Sequence, residues 1–203
     1  MAISNLQVAR AAYQPKLPKA LQGPVKAVEG AEDSKELCVN DLKELGMNEN
    51  DFLIGIAASG RTPYVIGGLD YAKEIGTKTG CVCCNVNTEI AKHCDYPIEV
   101  TAGPEVLTGS TRLKSGTCQK VILNMISTAT MIGGGKVYGN LMVDVKATNL
   151  KLVERCHRIV MEATGCTHEE AGAALAQCDN SCKIAIVMIL LGVTKEEAYE
   201  AVK

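Results

Sequence analysis

The 203-residue sequence contains no tryptophan and a single phenylalanine, Phe52. With aromatics at 3%, its six tyrosines included, the chain is not expected to offer an aromatic platform for stacking nucleic-acid bases. It also lacks a charge excess of either sign, since 21 Lys and Arg against 23 Asp and Glu leave a formal net charge of −2. No polybasic run is present, so no nucleic-acid partner is expected. Arg112, Lys114 and Lys120 lie near one another, but they read as a local site feature. Long apolar runs are missing too. The most apolar stretch, Ile184 to Leu191, falls far short of the roughly 20 residues that cross a bilayer. Residues 1–19 carry cations but no continuous apolar block, unlike a secretory signal. No membrane partner is expected, and the sequence predicts a cytoplasmic protein.

Cysteine, by contrast, is plentiful at ten residues. In a reducing compartment these read as small buried hydrophobes and not as a disulfide frame. Strand alternation sends Cys81 and Cys83 to one face and Cys84 to the other, a pattern that cannot converge on a metal. Cys178 and Cys182 are separated by Asp-Asn-Ser, which reads as a break between helices. No metal site is expected from them. His93, His157 and His168 lack a Ser or Cys partner at a telling position, so nothing suggests a nucleophile triad.

Residues 1–26 are punctuated by Pro15, Pro18 and Pro24 and show no periodicity. A helix is predicted over 34–45, with Leu37, Leu42 and Leu45 on one side. Short apolar runs at 52–57, 80–85 and 97–101 suit buried strands, and helical segments to about Ile75 and over 89–93 alternate with them. This order predicts a parallel α/β sheet. Three strands are fewer than the five or so usual in such sheets, so the sheet is expected to be shortened or completed by a partner chain. Val121, Ile122, Met125, Ile126, Ala129 and Ile132 follow the spacing of one buried helical face, ended by Gly133-Gly134-Gly135. A further helix is predicted over 147–164. Beyond it, Thr167-x-x-Glu170 and Thr194-x-x-Glu197 are capping boxes that flank the apolar helix Lys183 to Leu191, giving a small three-helix unit.

Two loops carry the candidate chemistry. Ser59-Gly60-Arg61-Thr62 follows a strand and opens a helix, where free N–H groups and the positive end of the helix dipole favour a phosphate. Ser59 and Thr62 add hydroxyls, and Gly60 lets the backbone come close. The plain alternative is an ordinary capped turn. The second loop, 103–114, holds Glu105, Ser110, Thr111 and Lys114 between strand and helix and suits a ligand bearing phosphate and hydroxyls. Its plain alternative is a solvated loop. Glu29 and Glu32 look, from residue chemistry alone, like surface acids in the first turn of a helix.

Larger segments add a resemblance. AVEGAEDSKE (Ala27–Glu36), IGIAASGRTPYVIGGLDYAKEIG (Ile54–Gly76), GPEVLTGSTRLKSGT (Gly103–Thr117), GKVYGNLMVDVKATNLKL (Gly135–Leu152) and RIVMEATG (Arg158–Gly165) are similar to the bacterial N-acetylmuramic acid 6-phosphate etherases. The resemblance implies a sugar isomerase (SIS) domain, a flavodoxin-like αβα sandwich, followed by a small helical domain. It divides the chain into a divergent segment 1–26, a partial sugar-phosphate-binding domain 27–146, and a helical region 147–203 holding a UBA-like three-helix unit. It implies a homodimer and cleavage of the lactyl ether of N-acetylmuramic acid 6-phosphate to N-acetylglucosamine 6-phosphate and D-lactate, with no metal or organic cofactor. Two carboxylates would move the protons. Glu32 matches one of them, while Ser59, Gly60, Arg61 and Thr62 match the phosphate-binding positions. The family's other glutamate, in a Ser-Glu-Cys-Pro-Pro segment, and its upstream Gly-Ala-Gly-Thr-Ser-Gly-Arg loop have no match in residues 1–26. The chain is thus expected to be shortened or divergent at its N-terminus. A non-catalytic sugar-phosphate-binding or regulatory SIS protein is the alternative.

Overall fold

In the apolar run Asp-Phe-Leu-Ile-Gly-Ile-Ala, residues of both parities are buried, as a strand covered on both faces requires. This computed structural model describes residues 6–10 and 30–202. The chain divides into two units, Met1–Asn124 and Met125–Lys203.

In the first unit, β2 (Asp51–Ala57), β3 (Lys78–Cys83) and β4 (Tyr96–Glu99) form a parallel sheet in that order. One face is covered by α1 (Lys35–Glu44) and α2 (Pro63–Glu74). Leu53, Ala57, Cys81 and Cys83 pack there against Cys38, Leu42, Val65 and Leu69. Each fully buried aliphatic side chain of this kind contributes about 1.5–3 kcal/mol of transfer free energy. Helix α1 buries Cys38 and Leu42, whereas Leu37, assigned to the buried side from the sequence, is 42% exposed. The reason is angular: 38, 42 and 45 follow 4, 3 spacing, while 37 lies five residues before 42 and so well off that face. The two helices touch closely at Gly67, where a Cβ would lie 2.5 Å from the Lys35 carbonyl oxygen.

The three strands read from the sequence become a four-stranded sheet in the structure. Strand β1 (Leu6–Arg10) pairs antiparallel with β2, from Leu6 opposite Gly55 to Arg10 opposite Asp51. A five-residue strand is short enough to escape notice beside three prolines. The rest of residues 1–26 lies outside the described residues. At the other edge, β4 carries Pro97, which has no N–H to offer a further strand.

Helix α3 (Lys114–Gly133) contains the division between the two units and ends at the predicted glycines. Its apolar row exists, but the buried face assigned to it does not. Val121, Met125 and Ile132 are 51%, 65% and 53% exposed, and Ser115 is the helix's buried residue. Apolar spacing marks a face that can be covered; it does not say that this chain covers it.

The second unit gathers a hairpin, β5 (Val137–Tyr138) and β6 (Leu141–Met142), with α4 (Leu150–Thr164), α5 (His168–Gln177), α6 (Cys182–Leu191) and α7 (Lys195–Ala201). Its core joins Cys156, Val160, Leu175, Ile184, Ala185 and Ala198 with Val143 and Val145, which follow the hairpin. Both predicted capping boxes form, at Thr167 and Thr194. Asp179 and Asn180 break α5 from α6 with positive φ, a conformation these residue types tolerate. Eight of the ten cysteines are buried and all ten are free thiols. No single helix among the described residues is long and apolar enough to cross a membrane.

Candidate active site

Parallel pairing brings the ends of three strands side by side. Ala57 is opposite Cys83 and Cys83 is opposite Glu99, so the loops that follow β2, β3 and β4 leave the same edge. In parallel α/β sheets this is the ligand-binding edge. The β2 and β4 loops stand two strand spacings apart, about 10 Å.

The loop 58–62 is tied to its neighbour by main-chain bonds. Gly60 N–H donates to the Ala57 carbonyl at 3.1 Å, Cys84 N–H to Ala58 at 3.0 Å, and Ile90 N–H to Gly60 at 3.1 Å. Gly60 has φ 69°, and a Cβ there would lie 2.3 Å from Thr88 Cγ2. The glycine is thus required by packing as well as by conformation. Thr88 is in turn fixed by Glu99 at the end of β4. One Glu99 oxygen accepts from Thr88 N–H and Oγ1, both at 2.7 Å, and the other accepts from Asn87 N–H at 3.1 Å. The bonds from Thr88 and then Asn87 hold the Glu99 carboxyl below its ordinary pKa. Sequence reading missed Glu99 and Thr88. No local signal marked them, because β4 is largely exposed, unlike the buried strand expected there, and Glu99 meets Thr88 from eleven residues away in sequence.

Thr62 occupies the N-cap of α2 with Pro63 at the helix start, yet its hydroxyl makes no capping bond. No acidic residue lies in the first turn. The first-turn N–H groups of a helix lack intrahelical partners, so this terminus keeps its positive end. Ser59 and Thr62 are half-buried beside it and Arg61 is exposed. These four residues are therefore gathered around one helix N-terminus.

The second loop is arranged differently. Glu105 accepts from Lys114 N–H at 2.9 Å and Ser115 N–H at 3.1 Å, which places its carboxylate on the N-terminus of α3. Those two bonds hold its carboxyl below the usual carboxylate range. Ser110 presents a hydroxyl oxygen that is buried and has no partner. Thr111 and Lys114 are exposed. The loop thus offers an unsatisfied hydroxyl and a cation, with its one carboxylate already engaged.

Glu32 lies on the 3-10 turn Ala31–Asp33 just before α1 and is exposed. Among the described residues no hydrogen bond joins it to the loop 58–62. Glu29 lies outside the described residues.

The family described as the SIS domain matches residues 16–129. The chain belongs to the SIS-domain family. It is similar to N-acetylmuramic acid 6-phosphate etherase 2 of Enterococcus faecalis, at 65% identity over 174 residues, 86% of this chain and 59% of that protein. The N-acetylmuramic acid 6-phosphate etherase of Lactococcus lactis subsp. lactis is 68% identical over 160 residues, 79% of this chain and 54% of the relative. That of Bacillus mycoides is 59% identical over 183 residues, 90% and 62% respectively. The chain therefore spans somewhat more than half the length of these relatives. The α/β architecture and the etherase resemblance read from the sequence both hold.

Proposed function

We propose that this chain binds a hexosamine 6-phosphate at the carboxyl edge of its parallel sheet, as part of an N-acetylmuramic acid 6-phosphate etherase. The observation that carries this reading is the helix start at Thr62. Its hydroxyl is not used by the helix, no acid neutralises its first turn, and Ser59 stands beside it. A dianionic phosphate matches such a terminus. Ser110, with its unpartnered hydroxyl, and Lys114 on the neighbouring loop would meet the sugar and its lactyl group.

The reaction is the elimination of D-lactate from carbon 3 of the sugar, followed by addition of water. A base removes the proton at carbon 2, the C–O bond to lactate breaks, and an acid supplies the proton that the leaving oxygen takes up. Glu32 is proposed for one of these transfers. Neither step calls for a metal or an organic cofactor. A homodimer would cover the exposed apolar row on α3, and a cytoplasmic location suits the intracellular sugar phosphate.

The experiment is D-lactate release from N-acetylmuramic acid 6-phosphate. Loss of one positioned acid or base costs about 100- to 10,000-fold, so release by this chain is expected to be slow and to fall further in Glu32→Gln. Release unaffected by Glu32→Gln would remove Glu32 from the mechanism. The exposure of Glu32, with no bond to the phosphate loop among the described residues, favours a second reading in which the chain binds sugar phosphates without turning them over.

A further inference from the structure

The helical unit carries a group of side chains for which sugar-phosphate chemistry has no use. Glu154 and His157 lie three residues apart on α4 and so share a face. His168 is the first residue of α5, set against them by the turn at Gly165 and by the Thr167 capping box. His157 Nδ1 is 3.0 Å from His168 Nε2, and His168 Nε2 is 3.3 Å from Glu154 Oε2. The ligand atoms of all three residues lie within 4.8 Å of one another.

We propose that Glu154, His157 and His168 bind a divalent transition metal of the zinc class at the corner between α4 and α5. Two imidazoles and a carboxylate are a donor set that zinc accepts, and three protein ligands leave one position for water. With metal–nitrogen bonds of about 2.0–2.1 Å, the edge of a zinc tetrahedron is about 3.3 Å. The two separations at His168 lie close to that edge and the third pair lies within 4.8 Å, so the donors can close on an ion by side-chain shifts. Without metal, one hydrogen on an imidazole nitrogen can bridge the same atoms; the cation takes the place of that hydrogen.

Two surrounding features hold the donors in place. Arg158 Nε donates to Glu154 Oε1 at 3.1 Å, which fixes the carboxylate and leaves Oε2 directed at His168. The His157 ring lies against Gly172 of α5, where a Cβ would come within 3.1 Å of His157 Cε1. Supporting contacts of this kind orient metal ligands. The Glu-x-x-His spacing on α4 is one that helical metal sites use, but the third donor, His168, joins it only through the corner between α4 and α5. The bound ion would clamp α4 to α5, independently of the sheet edge in the first unit.

Calorimetric titration of the full chain with zinc chloride, under reducing conditions, tests the site. One ion per chain is expected. His157→Gln and His168→Gln should each weaken binding tenfold or more while the helical circular dichroism stays unchanged. Zinc affinity that is the same in both variants would assign the ion to thiols elsewhere and overturn the proposal, as would no binding. The unmodified chain gives a reading that needs no variant. Zinc should shift the imidazole nitrogen resonances of His157 and His168 together and leave those of His93 in place. Shifts at His93 alone, or none, would also overturn it.

Discussion

Among the described residues, three helices have threonine at the N-cap, and they use it in two ways. At Thr167 and Thr194 the side chain caps the helix, a Glu three residues on bonds back, and ψ is 165° at both. At Thr62 ψ is 115°, Val65 stands where that Glu would be, and the hydroxyl makes no capping bond. The same residue type therefore closes two helix ends in the helical unit and leaves one open at the edge of the sheet. Helix α3 shows a third arrangement, with the Glu105 carboxylate sitting on its first N–H groups. On the function proposed above, the unneutralised helix start next to the Gly60 loop is the feature that would take a ligand where the capped starts would not.

The comparison can be broken most forcefully at Gly60. Gly60→Ala combines a strained positive φ with overlap on Thr88, at a cost of about 3 kcal/mol or more. Thermal unfolding should show this loss, and phosphate binding should vanish with it. A variant as stable as the parent would mean that the 58–62 loop is not held as described.

A sharper test exchanges the two kinds of threonine. Thr194→Ala should cost about 1 kcal/mol of stability, as lost caps do, and leave sugar-phosphate affinity unchanged. Thr62→Ala should do the reverse, with little effect on melting and a clear loss of affinity. Equal stability losses at the two positions would erase the distinction.

Glu105 gives a smaller effect with a defined sign. Its folded pKa is lowered by the N–H groups of Lys114 and Ser115. Its contribution is therefore complete above the ordinary carboxylate value, about 4.3, and is lost as pH falls through the lowered folded value. Glu105→Gln should melt below the parent at neutral pH, and the gap should narrow toward acid. A gap that widens toward acid would contradict the capping role.

The smallest difference is expected between the two cores. Burial pushes the Cys38 thiol up to about 12 in the sheet unit and the Cys182 thiol up to about 12 in the helical unit. The thiolate is the reactive form, and burial disfavours it at both positions. Alkylation of the native chain, read by peptide mass spectrometry, should reach half-exposed Cys118 and Cys166 well before either of them. Early labelling of Cys38 or Cys182 would show that the core containing it opens.

Much of the fold was legible because local patterns and burial agree. The runs that became β2 and β3, the break at Asp179-Asn180 and both capping boxes rest on short-range chemistry. The miss at Leu37 came from grouping apolar residues without their angles, and the miss along α3 from equating an apolar row with a buried one. At the site, Ser59 to Thr62 could be found because strand, glycine, hydroxyls and helix are consecutive. Glu99 could not, since it acts through Thr88, eleven residues away in sequence, and only strand pairing brings them together. The Glu154, His157 and His168 group was hidden for the same reason, because a helix corner joins it.

The central claim is that the open helix start at Thr62 holds a phosphate. Calorimetric titration of the chain with N-acetylglucosamine 6-phosphate and with N-acetylglucosamine tests it most directly. Hydrogen bonds to a charged group contribute about 1.5–3 kcal/mol, so Ser59→Ala should weaken binding of the phosphorylated sugar about tenfold or more. The account predicts measurable affinity for the 6-phosphate, none for the free sugar, and that loss in the variant. Equal affinity for the two sugars, or a Ser59→Ala chain that binds as well as the parent, would contradict it.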